Sequence, residues 1–272
     1  MLGAGTPNAD PDNSGPAVAI VVSSASYLVD AGPGVVRRAA AAEAKGIKAL
    51  EAANLKRVFL THLHSDHTLG LPDLMISPWV LERTAPLEVY GPPGTKKLVK
   101  HILKAYEEDM YHRTHSLEPV KSTGWRPNVH EIKPGVVYKD ANVMVTAFPV
   151  LHTQWKYAYG YKFQTADRTI VLSGDTTPTE EIVRQCNGCD LLVHEVYSAE
   201  KFPTRPPEWQ RYHAQSHTST KELAQIAGRA RPKLLVLYHK LLWGTDDAGL
   251  VREVREAGYT GEVKAAKDLE IY

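Results

Sequence analysis

Three histidines and an aspartate, His62, His64, Asp66 and His67, crowd into the stretch Thr61-His-Leu-His-Ser-Asp-His-Thr-Leu-Gly70. Imidazole nitrogens and a carboxylate are the donors that zinc and similar divalent ions accept at neutral pH. The run Lys56-Arg-Val-Phe-Leu-Thr61 just before them is largely apolar and ends in a β-branched residue, which predicts a buried strand. The donors then lie past a strand's C-terminal end, where α/β folds usually place their chemistry. His62 and His64 are two apart and point the same way on extended backbone, whereas Asp66 and His67 follow once the chain has turned. Four donors converging in this way could fill one metal site or supply half the ligands of two. A polar loop with chance histidines is the competing reading, and His101, His112, His115 and His130 are given no role. Uncharged imidazoles packed side by side gain little without a metal, so a metal site is expected.

A second metal needs donors from elsewhere, and three positions fit. His152 follows the apolar run Val143-Met-Val-Thr-Ala-Phe-Pro-Val-Leu151. Asp175 follows Ile170-Val-Leu-Ser-Gly174, whose glycine lets the backbone turn tightly. His239 follows Lys233-Leu-Leu-Val-Leu-Tyr238, a run consistent with a fully buried strand. Singly, each could be a surface residue capping a strand. Together with the first cluster they make a pattern.

The elements that would carry these donors can be read along the chain. Strands are expected at 17–22 and 26–30, a helix from Val35 to Lys45, and another from Ile47 to Asn54. Residues 68–83 read as helix interrupted by Pro72 and Pro78, followed by a strand at 87–90 and a helix to about Glu108. Segment 109–126 is polar and mixed, a surface excursion that could act as a lid. Strands follow near 128–132, 136–139, 142–149, 157–164 and 168–173, with a hairpin turn at Thr165–Arg168. The pattern then becomes helix 177–185, strand 190–194, a long loop 198–216, helix 219–230, strand 233–238, helix 247–257 and final strands. Sheet-rich halves flanked by helices predict an α/β (α+β) architecture, two mixed sheets face to face with helices outside.

Composition narrows the classes. With 272 residues and 43% hydrophobic content, the chain can form one large domain, expected to span 1–272. A net charge of +1 suggests no polyanion-binding surface, and Lys96, Lys97, Lys100 and Lys104 read as the solvated face of a helix. The two cysteines, Cys186 and Cys189, have no second pair to complete a zinc knuckle and are expected to be unlinked thiols. No apolar run is long enough to span a bilayer and no signal peptide is visible. The compartment stays open, cytoplasmic for the chain as it stands and exported if a leader was removed.

The set His-x-His-x-Asp-His, a later His, Ser-Gly-Asp-Thr and a last strand-end His resembles the metallo-β-lactamase superfamily of dinuclear metal hydrolases. Gly3-Ala-Gly-Thr-Pro7, Leu28-Val-Asp-Ala-Gly-Pro-Gly34 and Tyr90-Gly-Pro-Pro-Gly94 narrow the resemblance to its ribonuclease Z-like and arylsulfatase-like branch. Leu191-Leu-Val-His-Glu195, His217-Thr-Ser-Thr220 and Leu237-Tyr-His239 agree. The resemblance implies a four-layer αββα sandwich and a pair of divalent ions, zinc first, with manganese or iron also accommodated by such ligands. It implies that His62, His64 and His152 hold one ion and that Asp66, His67 and His239 hold the other, with Asp175 bridging. Asp66 is expected to be both a ligand and a catalytic residue. Glu195 and His217 match a pair thought to assist the leaving group, although Glu195 could instead hold a metal ligand in place.

Two cations about 3.5–4 Å apart would share a hydroxide nucleophile and polarise the scissile ester. This suits a phosphodiester, a sulfate ester or a carboxylic ester or lactone. Transfer-RNA 3′ processing is the alternative within the branch. Such enzymes clamp tRNA with a flexible arm inserted between the strand-end His and Ser-Gly-Asp, where this chain has only the residues from Thr153 to Ser173. Aromatics at the strand exits, Trp155, Tyr157 and Trp243, with Trp209 and Tyr212 before His217, suit a small apolar ester or else pack under loops. The expectation is therefore a small-molecule ester hydrolase, with nucleic acid disfavoured as a partner and a homodimer possible. A non-catalytic binding protein on the same fold is a third reading, opposed by the intact ligand set.

Overall fold

Alternating apolar residues at the start of the chain form an antiparallel hairpin, β1 (Val18–Val22) and β2 (Ala25–Val29), which Ser23 turns at φ 55°. The computed structural model describes residues 1–120 and 123–272. The chain divides into two compact units, one built mainly from Pro7–Ile132 and the other mainly from Lys133–Lys267.

In the first unit β2 continues into a parallel array with β3 (Arg57–Phe59), β4 (Glu88–Gly91) and β5 (Asn128–Glu131), giving the order β1-β2-β3-β4-β5. Parallel neighbours require crossovers. Helix α1 (Val35–Ala44) makes the first, and α2 (Ser65–Thr68) with α3 (Leu71–Val80) the second. Helices α4 (Thr95–Ala105) and α5 (Glu107–His115) lie in the third. Leu28, Val58 and Val89 stand in register across the sheet and are buried in one core with Val35, Ala39, Leu71, Leu74 and Met75.

Several elements differ from expectation. Residues 47–54 form two 3-10 turns, Lys48–Leu50 and Ala52–Asn54, rather than a helix, because so short a segment cannot offset the cost of helix nucleation. Helix α3 is continuous. Pro72 sits in its first turn, where no N–H is needed, and Pro78 lies inside it. Pro78 cannot donate to Leu74, and the buried Arg83 guanidinium donates to that carbonyl instead (2.8 Å), as well as to Met75 and Leu55. Burial lowers the Arg83 pKa to about 10. Segment 109–126 begins inside α5, while Lys121 and Ser122 of the expected lid lie outside the described residues.

The second unit orders its strands β12-β11-β10-β9-β8-β7-β6. The strands β6 (Gly135–Lys139), β7 (Met144–Pro149), β8 (Tyr159–Gln164) and β9 (Thr169–Leu172) form an antiparallel meander. From β9 onward, β10 (Leu191–Tyr197), β11 (Leu234–Leu241) and β12 (Glu262–Ala265) run parallel. Their connections carry α6 (Glu180–Cys186), α7 (Pro207–Ala214), α8 (Thr220–Ala230) and α9 (Asp247–Glu256). The parallel strands are continuous apolar runs because helices cover them, and Leu192, Leu235, Leu223, Ala227 and Leu250 share one core.

Here too the structure corrects the sequence. The expected loop 198–216 contains a 3-10 turn, Phe202–Thr204, and helix α7. Its prolines suggest a loop, yet Pro207 occupies a first helical position, where its fixed φ favours a start. The final strands reduce to β12 alone among the described residues. Cys186 and Cys189 are joined by a disulfide, contrary to the expected free thiols. Asn187, at φ 37°, ends α6 in a left-handed turn tight enough to bring the two sulfurs together. Among the described residues no helix is long and apolar enough to cross a membrane.

Candidate metal centre

In the first unit β3 delivers the histidine cluster and β2 delivers the group that orients it. Asp30 follows β2 at φ 60°, a left-handed conformation that aspartate tolerates better than most residues. Its carboxylate accepts from the Thr61 N–H (2.8 Å) and Thr61 hydroxyl (2.9 Å) and faces His67 Nδ1 at 2.8 Å. His67 Nδ1–H is thus held as the donor, which leaves Nε2 as the nitrogen able to bind a cation. Thr61 Oγ1 also meets His62 Nδ1 at 3.0 Å, so His62 presents Nε2 by the same logic.

That Nε2 lies 3.0 Å from His64 Nδ1, and Asp66 Oδ2 lies 3.5 Å from His67 Nε2. The His62 and His67 rings are 4.2 Å apart. All four predicted donors of this unit therefore converge. Two glycines make the convergence possible. A Cβ on Gly32 would strike the Asp66 carbonyl, and one on Gly70 would strike the Gly32 carbonyl, so only bare backbone fits between the β2 exit and the histidine loop.

In the second unit the parallel strands do the equivalent work. His152 follows β7, and its Nδ1 donates to the Ser216 carbonyl (2.8 Å), again leaving Nε2 available. Gly174, at φ 62°, turns the chain after β9 and sets Asp175 beyond the sheet. His239 is the extra residue of a bulge, passed over between the Glu195–Tyr238 and Val196–Lys240 pairs, at φ 44°. A bulge re-aims a side chain that a regular strand would point elsewhere. His239 Nε2 thereby comes within 3.5 Å of Asp175 Oδ2. Asp175, His217 and His239 each bring a donor atom within 4.8 Å of the others.

Glu195 is fully buried in β10. Its Oε1 accepts from the Thr218 N–H (2.9 Å) and the Thr176 N–H (3.3 Å), while Oε2 faces His217 Nδ1 at 3.3 Å. Burial first, and then the Asp175 charge, push the Glu195 carboxyl well above its ordinary range. Beside it, burial lowers His194 to about 4, and its Nδ1 donates to the Glu195 carbonyl.

Asp30 is the residue that sequence reasoning missed. It follows an apolar strand as Asp175 does, and that signal could have found it. Asp30→Asn is expected to weaken divalent-metal affinity about 10- to 100-fold, because the amide would donate to His67 Nδ1 and force the proton onto Nε2. Metal titration of the variant checks this, and unchanged affinity would exclude the orienting role.

Residues 26–240 match the Beta-lactamase superfamily domain family. The chain belongs to the metallo-β-lactamase superfamily. Within it, the chain is 32% identical to a "Ribonuclease Z" of Mycobacterium bovis over 99% of its own length and 95% of that protein's, which places it in the ribonuclease Z-like branch. The metallo-β-lactamase fold protein YhfI from Bacillus subtilis aligns with a TM-score of 0.73 at 18% identity, over 98% of this chain and 95% of that one. Human tRNase Z, short form, aligns with a TM-score of 0.71 at 23% identity, over 99% and 96%. At these identities the solved structures show the fold, which is the αββα sandwich expected. The chain is a metal-dependent hydrolase with divalent-metal-binding residues, as the superfamily and its donor clusters require. The arylsulfatase side of the expectation gains nothing from these relatives.

Proposed function

We propose that the chain is a ribonuclease Z-type phosphodiester hydrolase acting on RNA, and that its two units work as one domain. The observation that carries this reading is the Glu195–His217 pair, 3.3 Å apart and buried. A ribose alkoxide is a poor leaving group and needs a proton, so a histidine beside a carboxylate is most useful on such a substrate. The mycobacterial relative named ribonuclease Z, similar over nearly the full length, supports it. It displaces the expectation of a small substrate with nucleic acid disfavoured.

In this reading His62, His64 and His152 would hold one zinc ion and Asp66, His67 and His239 a second, with Asp175 serving both, a donor set of imidazoles and carboxylates suited to zinc. The tautomers fixed by Asp30, Thr61 and Ser216 leave the ligating nitrogens bare, as such a centre demands. Two divalent ions there would acidify a water and polarise the phosphoryl oxygen. His217 could itself join Asp175 and His239 as a ligand. Its Nδ1 is 4.0 Å from Asp175 but 3.3 Å from Glu195, which favours the proton-transfer role. Glu195 steers and holds the proton that His217 passes to the leaving oxygen.

One observation favours the small-ester reading. Between His152 and Asp175 the chain is the β8–β9 hairpin with a short turn, with no inserted arm to clamp tRNA. Removal of the extension from a 3′-extended tRNA precursor, run beside small aryl phosphodiesters and sulfates, decides between them. Cleavage of the precursor is expected. Turnover of small esters with the precursor left intact would reverse the assignment.

A further inference from the structure

A row of rings leads away from His217 that the proton-transfer pair does not use. The His217 ring meets His213 at 5.5 Å, and His213 stacks on Trp209 at 5.6 Å with 25° between planes. His213 also lies 4.7 Å from Trp243. His213 is buried, whereas Trp209, one turn earlier on α7, is 48% exposed. Just before that helix, Arg205 sets its guanidinium 5.4 Å from the centre of the Trp243 ring. Among the described residues no carboxylate pairs with Arg205, and its Nε is buried without a hydrogen-bond partner.

An exposed indole stacks any base, because every base has a π-face. A guanidinium resting on an aromatic ring keeps its donor edge for a phosphate, with part of the ordering cost already met. Exposed aromatics are common on protein surfaces and mean little singly. Here the exposed face, an unpaired cation and the proton-transfer histidine are linked through His213 and Trp243. We infer that Trp209 and Arg205 form a nucleotide subsite beside His217, in which Trp209 stacks a base flanking the scissile bond and Arg205 binds an adjacent phosphate. The subsite rests on the phosphodiester reading, since simple carboxylic and sulfate esters carry neither group.

The test uses a short oligouridylate as competitive inhibitor of methyl p-nitrophenyl phosphate hydrolysis by the metal-loaded enzyme. Trp209→Ala is expected to raise the inhibition constant about tenfold, in line with base–aromatic stacking, and to leave kcat and KM for the methyl ester unchanged. Arg205→Ala is expected to reduce the slope of log Ki on log salt by about 0.7, and Arg205→Lys to retain it. An unchanged inhibition constant in Trp209→Ala, or an equal change in KM for the methyl ester, overturns the subsite. Fluorescence anisotropy of labelled oligouridylate with wild type and Trp209→Ala reads binding without turnover. If the enzyme hydrolyses no phosphodiester, that measurement still judges the subsite separately, with tenfold weaker binding in the variant supporting it and equal binding refuting it.

Discussion

Asp175→Ala is expected to lose both metal ions and to lower phosphodiester turnover about a thousandfold, equivalent to about 4 kcal/mol of transition-state stabilisation. If Asp175 serves both cations, as proposed, its removal would weaken both sites at once. The local structure makes substitution by relaxation difficult. Asp175 is buried, follows a left-handed Gly174, and holds Oδ2 3.5 Å from the bulged His239. Asp175→Asn separates charge from shape: it keeps the volume, and it is expected to bind metal far more weakly than wild type. Elemental analysis with activity checks both variants, and full metal stoichiometry in Asp175→Ala would refute the bridging assignment.

His217→Ala is expected to slow phosphodiesters with alkoxide leaving groups by about 10²- to 10⁴-fold, yet to slow p-nitrophenyl esters little. Nitrophenolate departs without a proton, whereas a sugar oxygen does not. Glu195→Gln is expected to move in the same direction by a smaller factor. The glutamine can still accept from Thr218 and Thr176 but can no longer exchange a proton with His217. Parallel rate measurements on the two leaving-group classes decide the matter. Equal losses on both would assign His217 to metal binding or packing rather than to proton transfer.

The candidate donors are legible in the sequence because most of them lie just past the ends of apolar strands, which can be read from sequence, and Asp66 and His67 follow on the short helix α2 after β3. His62, His64, His152, Asp175 and His239 all follow such strands. What positions them was harder to see. Asp30 orients His67 from a neighbouring parallel strand, a partnership that depends on strand order rather than spacing. His239 owes its aim to a bulge, which leaves no mark on the run Lys233–Tyr238. The sequence pattern places the end of strand β10 at residue 194. It continues to Tyr197, since Glu195 finds backbone donors inside the unit. Prolines hid α7, and a local hydrogen-bond substitution by Arg83 let α3 run through Pro78. For Asp30, Glu195 and Arg83 a partner distant in sequence decides the local structure.

Ester hydrolysis by this chain is proposed to depend on a two-metal centre. Elemental analysis of the dialysed wild-type protein, paired with turnover before and after chelation, tests it most directly. Two equivalents of divalent metal per chain, with activity lost on removal and regained on reloading, are predicted. Full activity at one equivalent or less would contradict the account.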